Sequence, residues 1–179
     1  MVAIMREILR KYPKCEFGRE LFPGNLIPIL RASGGKTTAD VADWGYLTQK
    51  GKRVYNARSE TLLEKPLCGK DFVQNRCVIP VTGFCEWDGD GTGWDFLPQE
   101  EEMLYLAGIC RKKTEGWEAT VVTEHAAGCV GEIHHRTPLI LSGENLRQWL
   151  YDETQARQFL EEAKERVLLK RKKMEGETL

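Results

Sequence analysis

The chain predicts an α+β fold, a single domain over residues 1–179 with a curved, mainly antiparallel, barrel-like sheet and peripheral helices. Three observations lead there. Short β-branched runs recur through the middle of the chain, as in Cys77-Val78-Ile79 and Thr120-Val121-Val122. The stretch 88–93, DGDGTG, is turn chemistry of hairpin type. Helical periodicity concentrates towards the two ends.

Taken in order, residues 2–12 place Ile4, Ile8 and Leu9 among charges, an amphipathic helix ended by Pro13. Phe22-Pro23-Gly24-Asn25 is a turn, 26–30 a strand and Ser33-Gly34-Gly35-Lys36 a loop. A strand over 41–47 contains Trp44-Gly45, and a polar turn leads into Val54-Tyr55-Asn56-Ala57-Arg58. Ser59 suits the N-cap of a short helix that Pro66 limits, with Glu60 in its first turn. In 76–87, RCVIPVTGFCEW, the apolar run reads as a strand and Pro80 suggests an edge or bulge. Strands are expected at 94–97, 103–110, 117–123 and 137–141, then charged, solvated helices at 144–151 and 153–167. The basic stretch 164–173 reads as a solvated, frayed tail.

Composition narrows the function classes. The formal net charge is −1, so contact with nucleic acid requires a local basic surface. No apolar run is long enough for a membrane span and none has signal-peptide order, which makes a cytoplasmic location the expectation. The six cysteines form no C-x-x-C pair, so neither a metal site nor a disulfide framework is expected, and no cofactor. A monomer is expected.

Four small clusters stand out, the fourth of which, Pro23-Gly24-Asn25, is only a turn unless the fold places it beside the others. Asn56 and Arg58 share one side of a strand by alternation, an amide that orients and a guanidinium suited to phosphate, although an Arg58–Glu60 pair explains them equally. Glu86 lies between Phe84 and Trp87. Among aromatics its charged form is disfavoured, which makes it a proton donor and acceptor near neutrality; alternation into solvent is the plainer reading. In His134-His135-Arg136 one imidazole at most faces a given site, and an adjacent arginine disfavours its protonated form.

In chain order WGYLT, NARSET, RCVIPVTGFCEW, LAGI, VVTEHA and IHHRTPLIL resemble the SOS response-associated peptidase (SRAP) family, most strongly over 22–149. The resemblance implies a DNA-damage protein that recognises abasic sites in single-stranded DNA and links to them covalently. In that family the initiator Met is removed autoproteolytically. The exposed cysteine forms an imine and then a thiazolidine with the sugar aldehyde. Carried over by motif, Asn56, Glu86 and His134 are the catalytic residues, and Arg58 and Arg136 grip phosphates on the rim of their cleft. Thr123 and Asn25 line the DNA path, and Arg76 joins the DNA-binding set as the one arginine before the cysteine. The family's Met-Cys-Gly-Arg start is absent and residue 2 is Val2, so cross-linking is not expected of this chain as it stands. Two other readings compete: a truncated or degenerate relative that holds single-stranded DNA noncovalently, and a hydrolase with Cys85 as nucleophile and His134 as base.

Overall fold

In the computed structural model, residues 2–13, 20–161 and 168–172 are described. Strands β1 (Leu26–Ser33), β2 (Lys36–Trp44), β6 (Arg76–Val81), β9 (Leu104–Lys112) and β10 (Trp117–His125) close a five-stranded ring in the order β10-β2-β1-β6-β9 and back to β10. All pairings within it are antiparallel except β2–β10. Residues of alternate parity on every ring strand, among them Ile27, Ile29, Ala42, Cys77, Ile79, Leu106, Ala119 and Val121, form one apolar cluster. The second cluster joins the opposite parity (Val78, Ala107, Ile109, Val122) to helical residues such as Phe72, Trp149 and Phe159. A ring this narrow has no room for helices, so the first cluster fills it and the second lies outside. Trp149 anchors that outer layer, wholly buried, edge-on to Phe72 and donating from Nε1 to the Cys77 carbonyl at 2.8 Å.

Helix α1 (Val2–Lys11) buries Ile8 against the ring and spans the free edge of β2. There Glu7 Oε1 accepts the Ala39 N–H at 3.1 Å and Lys11 Nζ donates to the Ala39 carbonyl at 2.6 Å. These side chains stand in for a neighbouring strand. The strand expected over 41–47 is broken at Gly45, whose φ of 114° and closeness to the Tyr55 ring exclude a side chain. β3 (Tyr46–Leu47) then pairs with β4 (Arg53–Val54).

β5 (Asn56–Arg58) runs parallel to β10 and is followed by a single 3-10 turn, Ser59–Thr61. Ser59 is buried in that turn and makes no cap, correcting the expected helix. Two short helices, α2 (Gly69–Gln74) and α3 (Gly128–Gly131), went unexpected. α4 (Asn145–Tyr151) and α5 (Glu153–Glu161) are not simply solvated, since Trp149, Leu150, Ala156, Phe159 and Leu160 are buried. Residues 162–167 of the expected second helix lie outside the described residues.

A smaller sheet has the order β13-β8-β7, from β7 (Phe84–Trp87), β8 (Gly93–Pro98) and β13 (Leu168–Lys172). The β7–β8 hairpin turns where DGDGTG predicts, with Asp88 Oδ1 accepting the Asp90 and Thr92 N–H groups. β13 corrects the reading of the basic stretch: 168–172 pairs with β8 along its whole length. β11 (Arg136–Pro138) and β12 (Ile140–Leu141) extend the larger sheet. Among the described residues no helix is long and apolar enough to cross a membrane.

Candidate active site

Glu86 owes its setting to the glycine three residues before it. A Cβ on Gly83 would lie 2.7 Å from the Phe96 carbonyl oxygen and from Leu97 Cδ2, so only glycine lets β7 start this close to β8. Alternation then puts Phe84 and Glu86 on one face. Phe84 stacks on Phe96 at 5.2 Å, and Glu86 lies across from Trp94. Burial in this aromatic surround raises the Glu86 carboxyl above the ordinary carboxylate range, against an opposing pull from His134.

His134 follows α3, where the Ile133 and His134 N–H groups both donate to the Val130 carbonyl at 2.9 Å. Its Nδ1 is 3.7 Å from Glu86 Oε2, beyond a direct hydrogen bond but within reach of one bridging water or a small movement. Nδ1 also lies 3.2 Å from the Arg136 N–H and 3.0 Å from the Arg136 carbonyl, so the backbone of β11 orients the ring in either tautomer. Both side chains are partly open to solvent, 33% for His134 and 25% for Glu86. A carboxyl whose protonated form is favoured by burial and that faces an imidazole can exchange protons with it in both directions.

The remaining expected site residues divide by burial. Asn56 and Arg58 are exposed on one side of β5 while Ala57 between them is buried. Neither makes a hydrogen bond to Glu86 or His134 among the described residues, and Arg58 forms no ion pair there. β10 relates the two groups, because Thr123 pairs with Arg58 on one edge and with Pro138 of β11 on the other.

Arg136 departs from the expected rim. It is 9% exposed, donating to Glu60 Oε1 at 2.6 Å, Glu60 Oε2 at 3.0 Å and the Thr123 carbonyl at 2.7 Å. Its charge is committed inward, and hydrogen bonding to it holds the Glu60 carboxyl below the usual carboxylate range. Arg76 is likewise buried, with Nε on the Trp149 carbonyl and Nη1 on the Phe72 carbonyl, so it ties α2 and α4 to β6 rather than facing outward. Thr123 is 7% exposed and carries Arg136 rather than a surface path. Asn25 is exposed and closes its turn, Oδ1 accepting the Phe22 N–H at 2.8 Å. Cys85 lies opposite Asp95 while Glu86 lies opposite Trp94, so alternation sends the thiol and the carboxyl to different faces.

Sequence reasoning missed the part Glu60 plays. The expected ion-pair partner was Arg58; instead Glu60 receives Arg136 and also lies 3.1 Å from His125 Nε2. It also missed Trp94 as the cross-strand partner of Glu86, which the hairpin register would have supplied.

A closed five-stranded ring beside a small sheet whose Glu86 faces His134 of the α3–β11 segment defines an α+β protein with a partly open carboxyl–imidazole pair. The chain belongs to the SOS response associated peptidase (SRAP) family, which it matches over residues 9–175. It is 31% identical over 119 residues to the abasic site processing protein YoqW of Bacillus subtilis (strain 168), covering 62% of this chain and 53% of that protein. It is 34% identical over 124 residues to the abasic site processing protein HMCES of Gallus gallus, covering 53% of this chain and 37% of the other. The chain thus spans about half the length of the first of these relatives and less of the second. The fold matches the crystal structure of a phage-related protein from Bordetella bronchiseptica with a TM-score of 0.73 at 20% identity, over 94% of this chain and 88% of that one.

Proposed function

We propose that the protein recognises abasic sites in single-stranded DNA and promotes amine addition to the open-chain sugar aldehyde. The observation that carries this reading is the Glu86–His134 pair, a carboxyl raised by burial within 3.7 Å of an imidazole. Family membership and the names of the relatives supply the substrate class. His134 takes the proton of the sugar's C1′ hydroxyl as the C1′–O4′ bond breaks and returns it to O4′, leaving the aldehyde at C1′. After an amine adds to C1′, protonated Glu86 gives its proton to the departing hydroxyl, water leaves, and an imine remains. Asn56 orients the attacking group, and Arg58, exposed and unpaired among the described residues, holds a flanking phosphate.

In this reading the covalent partner is an N-terminal cysteine freed by autoproteolysis, whose thiolate closes the thiazolidine. Residue 2 of this sequence is Val2, so the reading has two arms. In the first, the 179-residue chain is titrated against single-stranded oligonucleotides with and without one abasic site; tighter binding of the abasic strand is expected, and equal affinities overturn the reading. In the second, a form carrying cysteine at its amino terminus is incubated with the same strand. A heat-stable adduct that Glu86→Gln slows supports the acid–base assignment, and an adduct formed equally fast by that variant refutes it.

A further inference from the structure

We infer that Lys170 is a positioning residue for the Glu86–His134 pair, an assignment that rests on the acid–base reading above. Lys170 stands on β13, outside the motifs that mark the family resemblance, and pairs in register with Phe96 of β8. Its Nζ lies 5.2 Å from the Trp94 ring centroid and forms an ion pair with Glu132. Trp94 is the cross-strand neighbour of Glu86 and is held by its own bond from Nε1 to Asp88 Oδ2 at 2.9 Å. Glu132 precedes His134 by two residues, in the segment that the Val130 carbonyl pins. One ammonium therefore touches the wall behind the carboxyl and the segment that carries the imidazole. A second link runs parallel, from Cys129 Sγ to the Leu168 carbonyl at 3.8 Å.

The Lys170 side chain is 24% exposed and Glu132 65%, so the pair adds little to global stability. Its effect is geometric. Glu86 lies on β7 of the smaller sheet and His134 in the segment between α3 and β11, so the 3.7 Å between them is set by how that sheet docks against this segment. An error of about 1 Å at a reacting pair costs on the order of 10²-fold in rate. A contact that joins the two bodies beside the pair bears on that distance more than on folding.

The test compares wild type with Lys170→Met, which keeps the stem and loses the charge, and Lys170→Arg, which keeps the charge. Without DNA, amide hydrogen exchange at Ile133 and His134 should quicken about tenfold in Lys170→Met and return in Lys170→Arg, with amides of the ring strands unchanged. Unchanged exchange at 133–134, or equal acceleration across the ring, overturns the inference. In the amino-terminal cysteine form, Lys170→Met should slow adduct formation at saturating DNA about tenfold with affinity within about twofold. An active wild type whose Lys170→Met variant reacts at the same rate also overturns it. If wild type shows no preference for abasic strands while the exchange pattern appears, the clamp stands and the DNA reading falls.

Discussion

Replacing Arg136 with methionine should cost stability and leave DNA affinity nearly intact, the reverse of what a phosphate-gripping arginine at the rim would do. The Thr123 carbonyl loses its 2.7 Å donor inside the protein, a penalty of about 1–3 kcal/mol. Breaking a fully buried ion pair costs about 3–5 kcal/mol, but the Glu60 side chain is 37% exposed and its carboxylate regains water, so this part falls to about 1 kcal/mol. Among the described residues Arg136 Nε is buried without a hydrogen-bond partner, and deleting it returns part of about 1 kcal/mol. The net is about 2 kcal/mol, or about 4–8 °C in Tm for a domain of this size. Urea unfolding followed by tryptophan fluorescence measures it, with the m-value unchanged. Binding of a single-stranded oligonucleotide across a salt series runs alongside. An unaltered midpoint with weakened binding and a salt slope shallower by about one would refute the inward assignment.

Glu86→Gln should stabilise the protein at neutral and alkaline pH and lose that advantage in acid. Burial raises the folded carboxyl, so above the ordinary carboxylate value the native state holds a proton the unfolded chain has lost, and wild-type stability falls as pH rises through that window. Thermal melts at about pH 4 and about pH 8 check this, and a gap that does not widen with pH contradicts burial as the cause. Arg58→Gln should weaken single-stranded DNA binding and reduce the salt slope by about one with Tm unchanged, because the side chain is exposed and unpaired among the described residues. A Tm loss without a change in slope would make Arg58 structural. Gly83→Ala should cost about 1–3 kcal/mol, since its methyl meets the Phe96 carbonyl oxygen at 2.7 Å, and neutral unfolding data would refute the close approach.

Much of the fold was legible because local signals agreed. DGDGTG forced a hairpin, and short apolar runs at close spacing forced strands. At the site, Glu86 and His134 stand out as titratable groups beside aromatic and basic neighbours, and the structure puts them together. Direction was the illegible part. β6 is buried from Arg76 to Pro80, between ring interior and helices, so alternation gives no clue that Arg76 turns inward to carbonyls of α2 and α4. Arg136 posed the same problem: its partner Glu60 is 76 residues away, brought close only when β5 and β11 take opposite edges of β10. Pro80 is consistent with its edge reading, since β6 meets β1 only at Val78 and Cys77 and runs on beyond it. The basic composition of 168–172 concealed a strand because Lys and Arg can cover apolar surface with their stems while the charge stays wet.

The seam of the ring has a consequence for how the chain assembles. β1 and β2 zip through eight paired positions from a two-residue turn, whereas β2 and β10 meet at two, Glu118 with Asp43 and Ala119 with Trp44, some 75 residues apart in sequence. The hairpin forms early and cheaply, and the long-range junction must wait until its loop-closure entropy is offset by the interior it seals. Because β5 continues along β10 from that junction, the strand presenting Asn56 and Arg58 is aligned only in a chain whose wall is already complete.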